Sequence, residues 1–308
     1  MKMLPLCTLA PCLLTTSVMA EVSYSGSANL QVGYDSNVAV NELDRASNSA
    51  DSSLMYGAKL GAKWQPAKAY SFSINAGQQF TDYQHSDDFD LTLTTVSASA
   101  ALSSHLGKWA LNSYVADAQL NKDGFLLYQQ HGVSWGKLWD PKLYTRFSVD
   151  GIIKQIDTQS DRDANAARLG VSAFFFTDTA NEMVNIGYAY QNERAEVREF
   201  DFASHSAQAK WQYPVNLFAR QLLWQAEYQF ELRDYAGSGV TSALPLNTSN
   251  APQARLDQRH RVSLGVAYTL TDYFTVDIKA NYADYHSNAD NADYSESQAV
   301  VGMTLAFN

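Results

Sequence analysis

The chain has 308 residues, with 22 Lys and Arg against 32 Asp and Glu, a formal net charge of −10. That acidic balance excludes a nucleic-acid partner, because phosphate binding needs clustered Lys and Arg. Both cysteines, Cys7 and Cys12, lie near the start, so the chain beyond them has neither disulfides nor thiolate metal sites, and no later apolar run reaches the roughly 18 residues of a membrane-spanning helix.

Residues 1–20 come first. Lys2 opens an apolar stretch broken by Pro5 and Pro11, and Ser17-Val18-Met19-Ala20 closes it with a small-x-small pattern. This predicts a secretory signal peptide cut after Ala20, with the domain proper over residues 21–308. A lipoprotein signal around Cys12 is the alternative, against which Pro11 stands in place of the usual small residue.

From residue 21 onward the apolar residues alternate singly with polar ones. The first such segment is 24–34. In the next, Leu54, Tyr56, Leu60 and Trp64 oppose Gly57, Lys59, Gly61 and Lys63; then Tyr70, Phe72, Ile74 and Phe80 oppose Ser71, Ser73, Asn75 and Gln79. Weaker segments follow at 90–102 (rich in Ser, Thr and Ala), 108–120, 125–136, 142–156, 166–176, 182–193 and 203–213. The clearest runs from 222 to 233, where Leu222, Trp224, Ala226, Tyr228, Phe230 and Leu232 oppose Gln225, Glu227, Gln229, Glu231 and Arg233. Residues 261–270, 274–282 and 295–308 repeat it. Period two puts these sets on opposite faces of a strand, whereas a helix would smear them around its surface. One continuous sheet, greasy on one face and polar on the other, is the pattern of an all-β, up-and-down antiparallel transmembrane barrel. The count is about fourteen strands; twelve or sixteen also fit the soft boundaries.

The connections alternate as such a barrel requires. Short linkers fall at 65–68, 103–107, 138–141, 177–181, 214–218 and 271–272. Longer polar ones fall at 35–53, 82–89, 157–165, 194–202, 235–254 and 287–292, with residues 121–124 a tight exception. Tight turns belong on the periplasmic side and long loops outside. Trp64, Tyr70, Trp109, Trp135, Trp139, Tyr144, Trp211, Tyr213, Trp224, Tyr268, Tyr273 and Phe307 lie beside the short turns. Tyr34, Tyr56, Tyr83, Tyr128, Tyr190, Tyr235, Tyr282 and Tyr285 lie near the long loops. Two lipid-facing aromatic girdles are therefore expected.

The polar face gives the candidate lumen: Lys59, Lys63, Arg146, Asp150, Lys154, Arg168, Lys210, Glu227, Glu231, Arg233, Arg259, Arg261, Asp277 and Lys279. Basic residues are in excess there, while the long loops are acidic. Charges in a barrel wall avoid lipid on stability grounds alone, so wall solvation and solute selection both account for this set. Glu227, Glu231, Arg233, Arg259 and Arg261 fall on neighbouring strands, an arrangement suited to cross-strand pairs. For catalysis, His85, His205, His260 and His286 fall near the external end with Asp87, Asp88, Asp284 and Ser206 in range. No G-x-S-x-G, H-E-x-x-H or phosphate loop is present, and 284–293 lacks the glycine and terminal glutamate of a calcium loop. The expectation is a non-enzyme with no catalytic residues, no cofactor and no metal.

The terminal segment Ser295 to Asn308, closing on Phe307, resembles the assembly signal of bacterial outer-membrane β-barrels. That resemblance implies insertion into the outer membrane by periplasmic chaperones and the barrel assembly machinery, with outer-membrane lipid as the immediate partner. Gly33-Tyr34-Asp35-Ser36-Asn37-Val38 resembles the first barrel strand of surface lipoprotein assembly modifiers, although the helical-repeat domain those proteins carry ahead of the barrel has no counterpart here. Three functions follow: a porin-like channel for small hydrophilic solutes, an export barrel for a surface lipoprotein or polysaccharide, or an enzyme or adhesin acting through external loops.

Overall fold

The computed structural model describes residues 21–177, 182–236 and 254–307. The expected signal peptide, residues 1–20, and most of the linker at 235–254 lie outside the described residues. Fourteen antiparallel strands close into one barrel: β1 (Glu21–Asp35), β2 (Asp51–Ala67), β3 (Tyr70–Tyr83), β4 (Leu91–Ser104), β5 (Gly107–Leu120), β6 (Asp123–Asp140), β7 (Leu143–Ile156), β8 (Ala164–Phe176), β9 (Met183–Ala195), β10 (Phe202–Leu217), β11 (Arg220–Tyr235), β12 (Leu256–Thr269), β13 (Phe274–Ser287) and β14 (Tyr294–Phe307). Each strand pairs with its chain neighbours, and β1 pairs with β14 to close the ring, Gly26 opposite Phe307. Closure leaves no edge with unpaired backbone groups, the condition for a sheet to stand in lipid.

The fourteen strands agree with the sequence, as do the alternating connections among the described residues; the expected short linker at 177–181 lies mostly outside them. The shortest strands have 13 residues and the longest 18, against the roughly 9–11 needed to cross a bilayer. Every strand therefore reaches beyond the hydrocarbon. The tight exception on the external side is a two-residue hairpin, Asn121 and Lys122, both at positive φ, which matches the strands' twist.

The outward face carries Leu30, Val32, Leu60, Ile74, Leu111, Val149, Leu169, Ile186, Leu264, Ile278 and Val301, all exposed. Such a surface is stable only against lipid. Trp109, Trp135 and Trp139 cluster near the tight turns of β4–β7, tilted and edge-on, with centroids 6.5 and 6.4 Å apart. Trp211 and Tyr213 lie parallel at 5.7 Å in β10. The girdles are thinner than the sequence suggests. Tyr83, Tyr128, Tyr235 and Tyr285 fall on the inward parity of their strands, and Tyr235 and Tyr285 are buried. Tyr144 also turns inward, its ring over Gly136. Distance from a loop sets a residue's height; only parity sets its face.

Candidate functional site

The first external loop, joining β1 to β2, does not stand out in solvent. A short hairpin, Ala39–Val40 with Arg45–Ala46, carries its tip across the mouth of the barrel. Val38 is almost completely buried, and Val40 and Leu43 pack on the inward cluster of Ala118, Phe125 and Ile156 from β5, β6 and β7. Its base is fastened by the Asp35–Val38 run: the Asn37 amide donates to the Ser295 carbonyl at 3.2 Å, and the Ser297 N–H donates to the Ser36 hydroxyl at 2.8 Å.

Two acidic side chains at the tip meet a basic wall. Asp44 accepts two hydrogen bonds from Arg255 (2.8 and 2.9 Å) and one from Arg162 (2.9 Å), with Arg259 at 3.9 Å. Glu42 lies 3.4 Å from Lys154, which also reaches Glu193 at 2.5 Å. The charge of Lys154, opposed by burial and assisted by Arg233 and Arg259, holds the Glu42 carboxyl at about 2. Burial works against ionised Asp44, but its bonds and charge interactions with Arg255 and Arg162 outweigh it and keep its pKa below the usual carboxylate range. Both tip acids are therefore carboxylates at neutral pH. Asp257, Arg255 and Ser287 complete the cluster, with Arg255 to Asp257 at 2.7 Å and Ser287 to Asp257 at 2.7 Å.

Beneath the loop lie three cavities of about 640, 250 and 680 Å³. The first and second share Gln130, Arg146 and Asp150; the second and third share Asn75, Ser97 and Tyr114. The interior is two-sided. On β6–β12 it bears Arg146, Asp150, Lys154, Arg168, Glu231, Arg233, Arg259 and Arg261. On β2–β5 the cavity lining is neutral apart from Lys59, with Lys63 on the same inward face outside it: the Ser73 and Ser99 hydroxyls are 2.9 Å apart and the Asn75 amide donates to Ser97 at 3.3 Å.

The remaining residues of the expected lumen set share the inward parity. Lys63 lies on β2 beside Ser73 and Ser23, Lys210 pairs with Glu227 at 3.8 Å, and Lys279 with Asp277 at 3.7 Å. Among the described residues no ion pair joins two members of the expected ladder across strands. Arg233 turns to Glu231 of its own strand at 3.0 Å, Arg259 to Asp257 at 3.3 Å, and Arg261 to the Tyr285 hydroxyl at 2.9 Å. Asp44, Glu42, Glu193, Asp257, Arg162 and Arg255 escaped the sequence reading. The signal available for the loop pair was three apolar residues, Val38, Val40 and Leu43, in an otherwise polar linker.

Arg146 and Arg168 have no hydrogen bond or ion pair among the described residues. Asp150 stands opposite Arg168 in register, yet its carboxylate leans the other way, over Gly132 of β6. Any side chain at 132 would collide with it, so this glycine keeps Asp150 off Arg168. The external histidines do not converge. His85 sits 3.1 Å from Asp51, while His205 and His260 point outward to Tyr188 (2.6 Å) and Tyr228 (2.8 Å). His286 lies 3.6 Å from Asp293.

Residues 193–307, from the end of β9 through β14, match the family model described as "Putative beta-barrel porin 2". No curated protein sequence matches the chain. Among solved structures, an anion-selective porin from Comamonas acidovorans superposes with a TM-score of 0.52 at 10% identity, over 94% of this chain and all of that one. OmpT of Vibrio cholerae, expressed in the outer membrane, gives 0.52 at 10% identity over 95% of this chain and 99% of that one. The chain has the closed-barrel fold of these outer-membrane proteins. At these identities the likeness concerns the fold, so what passes through this barrel rests on its own lumen.

Proposed function

We propose that this outer-membrane barrel is a porin-like channel for small hydrophilic solutes, narrowed by its first external loop and weakly favouring anions. The observation that carries this reading is the polar chain of cavities containing Arg146 and Arg168, two guanidinium groups without acidic partners. Unpaired charge in a confined wall acts on a passing ion more strongly than the exposed acidic loops, which are screened within a Debye length of about 10 Å at 0.1 M salt. The reading through external-loop catalysis loses its support because the four histidines are separately engaged. Residues 1–20 act as the cleaved leader in this scheme. Phe307, exposed on the outer face with its ring over Gly26, is the terminus offered to the assembly machinery.

The experiment is a planar-bilayer recording across a KCl gradient at several concentrations. A reversal potential of anionic sign that shifts toward zero in the Arg146→Gln/Arg168→Gln double variant is expected. Absence of conductance in correctly inserted protein refutes the reading.

A further inference from the structure

The register of β7 to β10 places a side-chain-poor trough between the two unpaired arginines. Ser148 of β7 faces Gly170 of β8, Gly170 faces Ala189 of β9, and Ala189 faces Ser206 of β10. These four form the floor, and all line the cavity beneath the loop. One inward row toward the outside lie Asp150, Arg168, Gln191 and Ser204; one inward row toward the periplasm lie Arg146, Ser172, Gly187 and Gln208. Three interstrand spacings make the floor about 14 Å long, and four residues of rise separate the flanking rows by about 13 Å.

The two banks share a pattern, apart from the Asp150 carboxylate on the outer one, which is turned toward Gly132. Each presents a guanidinium, Arg168 on one and Arg146 on the other, with an amide farther along, Gln191 donating to Glu193 at 3.0 Å and Gln208 to Asn185 at 3.1 Å, each with a second N–H left for a ligand. Hydroxyls of Ser148 and Ser206 rise from the floor. A carboxylate takes two parallel bonds from a guanidinium, while amides and hydroxyls, which both donate and accept, suit alcohol groups. A chloride or phosphate would use one bank and leave the floor empty. We infer that this trough binds a carboxylated sugar one or two rings long, with its carboxylates on Arg146 and Arg168 and its hydroxyls on the serine and glutamine groups. The inference rests on the channel reading, since the solute must reach the lumen.

The test uses the full mature barrel, folded in detergent micelles and checked by heat-modifiable gel migration. Binding heats are measured for digalacturonate, for maltose as an uncharged sugar of similar size, and for inorganic phosphate. Digalacturonate should bind at least about tenfold more tightly than either. Arg146→Gln and Arg168→Gln should each weaken it by about tenfold or more, the usual scale for one charged hydrogen-bonded contact. Ala189→Trp, which fills the floor without touching charge, should abolish binding, and Lys59→Gln on the opposite wall should leave it unchanged. Equal affinity for maltose or for phosphate, or arginine variants that bind like the parent, overturns the site. Bilayer recordings on the same preparation separate the two proposals. Conductance that digalacturonate never blocks removes the site alone, and binding without conductance removes the channel reading alone.

Discussion

Asp44→Asn is the sharpest perturbation of the loop that narrows the barrel. The substitution keeps the side chain's shape and the contacts of Val40 and Leu43, and removes one charge. That charge is nearly inaccessible, with 4% of the side chain exposed, and it faces Arg162, Arg255 and Arg259, each at most 15% exposed. Arg255 and Arg259 retain Asp257, but Arg162 loses its one carboxylate within 4 Å among the described residues. Removing one member of a buried ion cluster costs about 3–5 kcal/mol, because the partners stay desolvated. At about 1.4 kcal/mol per tenfold, the ratio of docked to undocked loop should fall by roughly two to three and a half orders of magnitude. Amide hydrogen exchange across residues 38–46 measures that ratio directly, and unitary conductance should rise with it. An Asp44→Asn/Arg162→Gln double variant should lose less than the sum of its parts, as expected for groups in contact. Unchanged protection at 38–46, in protein that still runs as a folded barrel, would refute the account of how the loop is held.

The loop should also respond to acid. Glu42 and Asp44 have pKa values lowered by docking, so their contribution is complete above the ordinary carboxylate value of 4.5 and is lost as pH falls toward about 2. Protection at 38–46 should be flat from pH 7 to 5 and collapse below 4.5; collapse near pH 6 would point to other groups. Ile278→Arg and Val266→Arg, opposite one another on β13 and β12 and facing lipid, should each cost about 2–4 kcal/mol in folding titrations. Phe307→Asp should abolish insertion, scored as loss of the heat-modifiable outer-membrane form. An epitope tag at residues 87–89 should label on intact cells and one at 68–69 should not; the reverse pattern would invert the topology.

The wall of this protein was legible because a strand writes its two faces into alternate letters. Leu222 to Arg233 shows it most plainly, each apolar residue but Leu223 outward and each charged one inward. β4 was the faintest strand for a physical reason: its inward residues Thr95, Ser97 and Ser99 line the neutral side of the lumen, so its faces differ little in polarity. The girdle tyrosines failed on a different count. Tyr83, Tyr235 and Tyr285 lie at the right height, but their odd numbers place them with Gln79, Arg233 and Asn281 on the inward face. Loops carry no such period. Nothing in the spacing of Glu42 and Asp44 says that they cross the mouth to meet strands more than a hundred residues away.

That blindness matters most for electrostatics. Read from the wall alone, and leaving aside Arg259 at the rim, nine basic residues face four acidic ones, a surplus spread over the whole lumen. In the folded barrel, loop 1 and two unsuspected wall acids redistribute it. Lys154 is held between Glu42 and Glu193, Arg255 between Asp44 and Asp257, and Arg259 beside Asp257. Arg233, Lys210 and Lys279 have acids of their own. A salt-bridged cation presents mainly a dipole to a passing solute, and its field dies away faster with distance than that of a bare charge. Of the guanidinium groups beneath the loop without an ion pair among the described residues, Arg261 donates to the Tyr285 hydroxyl, while Arg146 and Arg168 stand on adjacent strands beside a floor of Ser, Gly and Ala. Selectivity in such a barrel is set by which cations the fold leaves unpaired, and Arg146 and Arg168 are two of them, both lining the cavity beneath the loop.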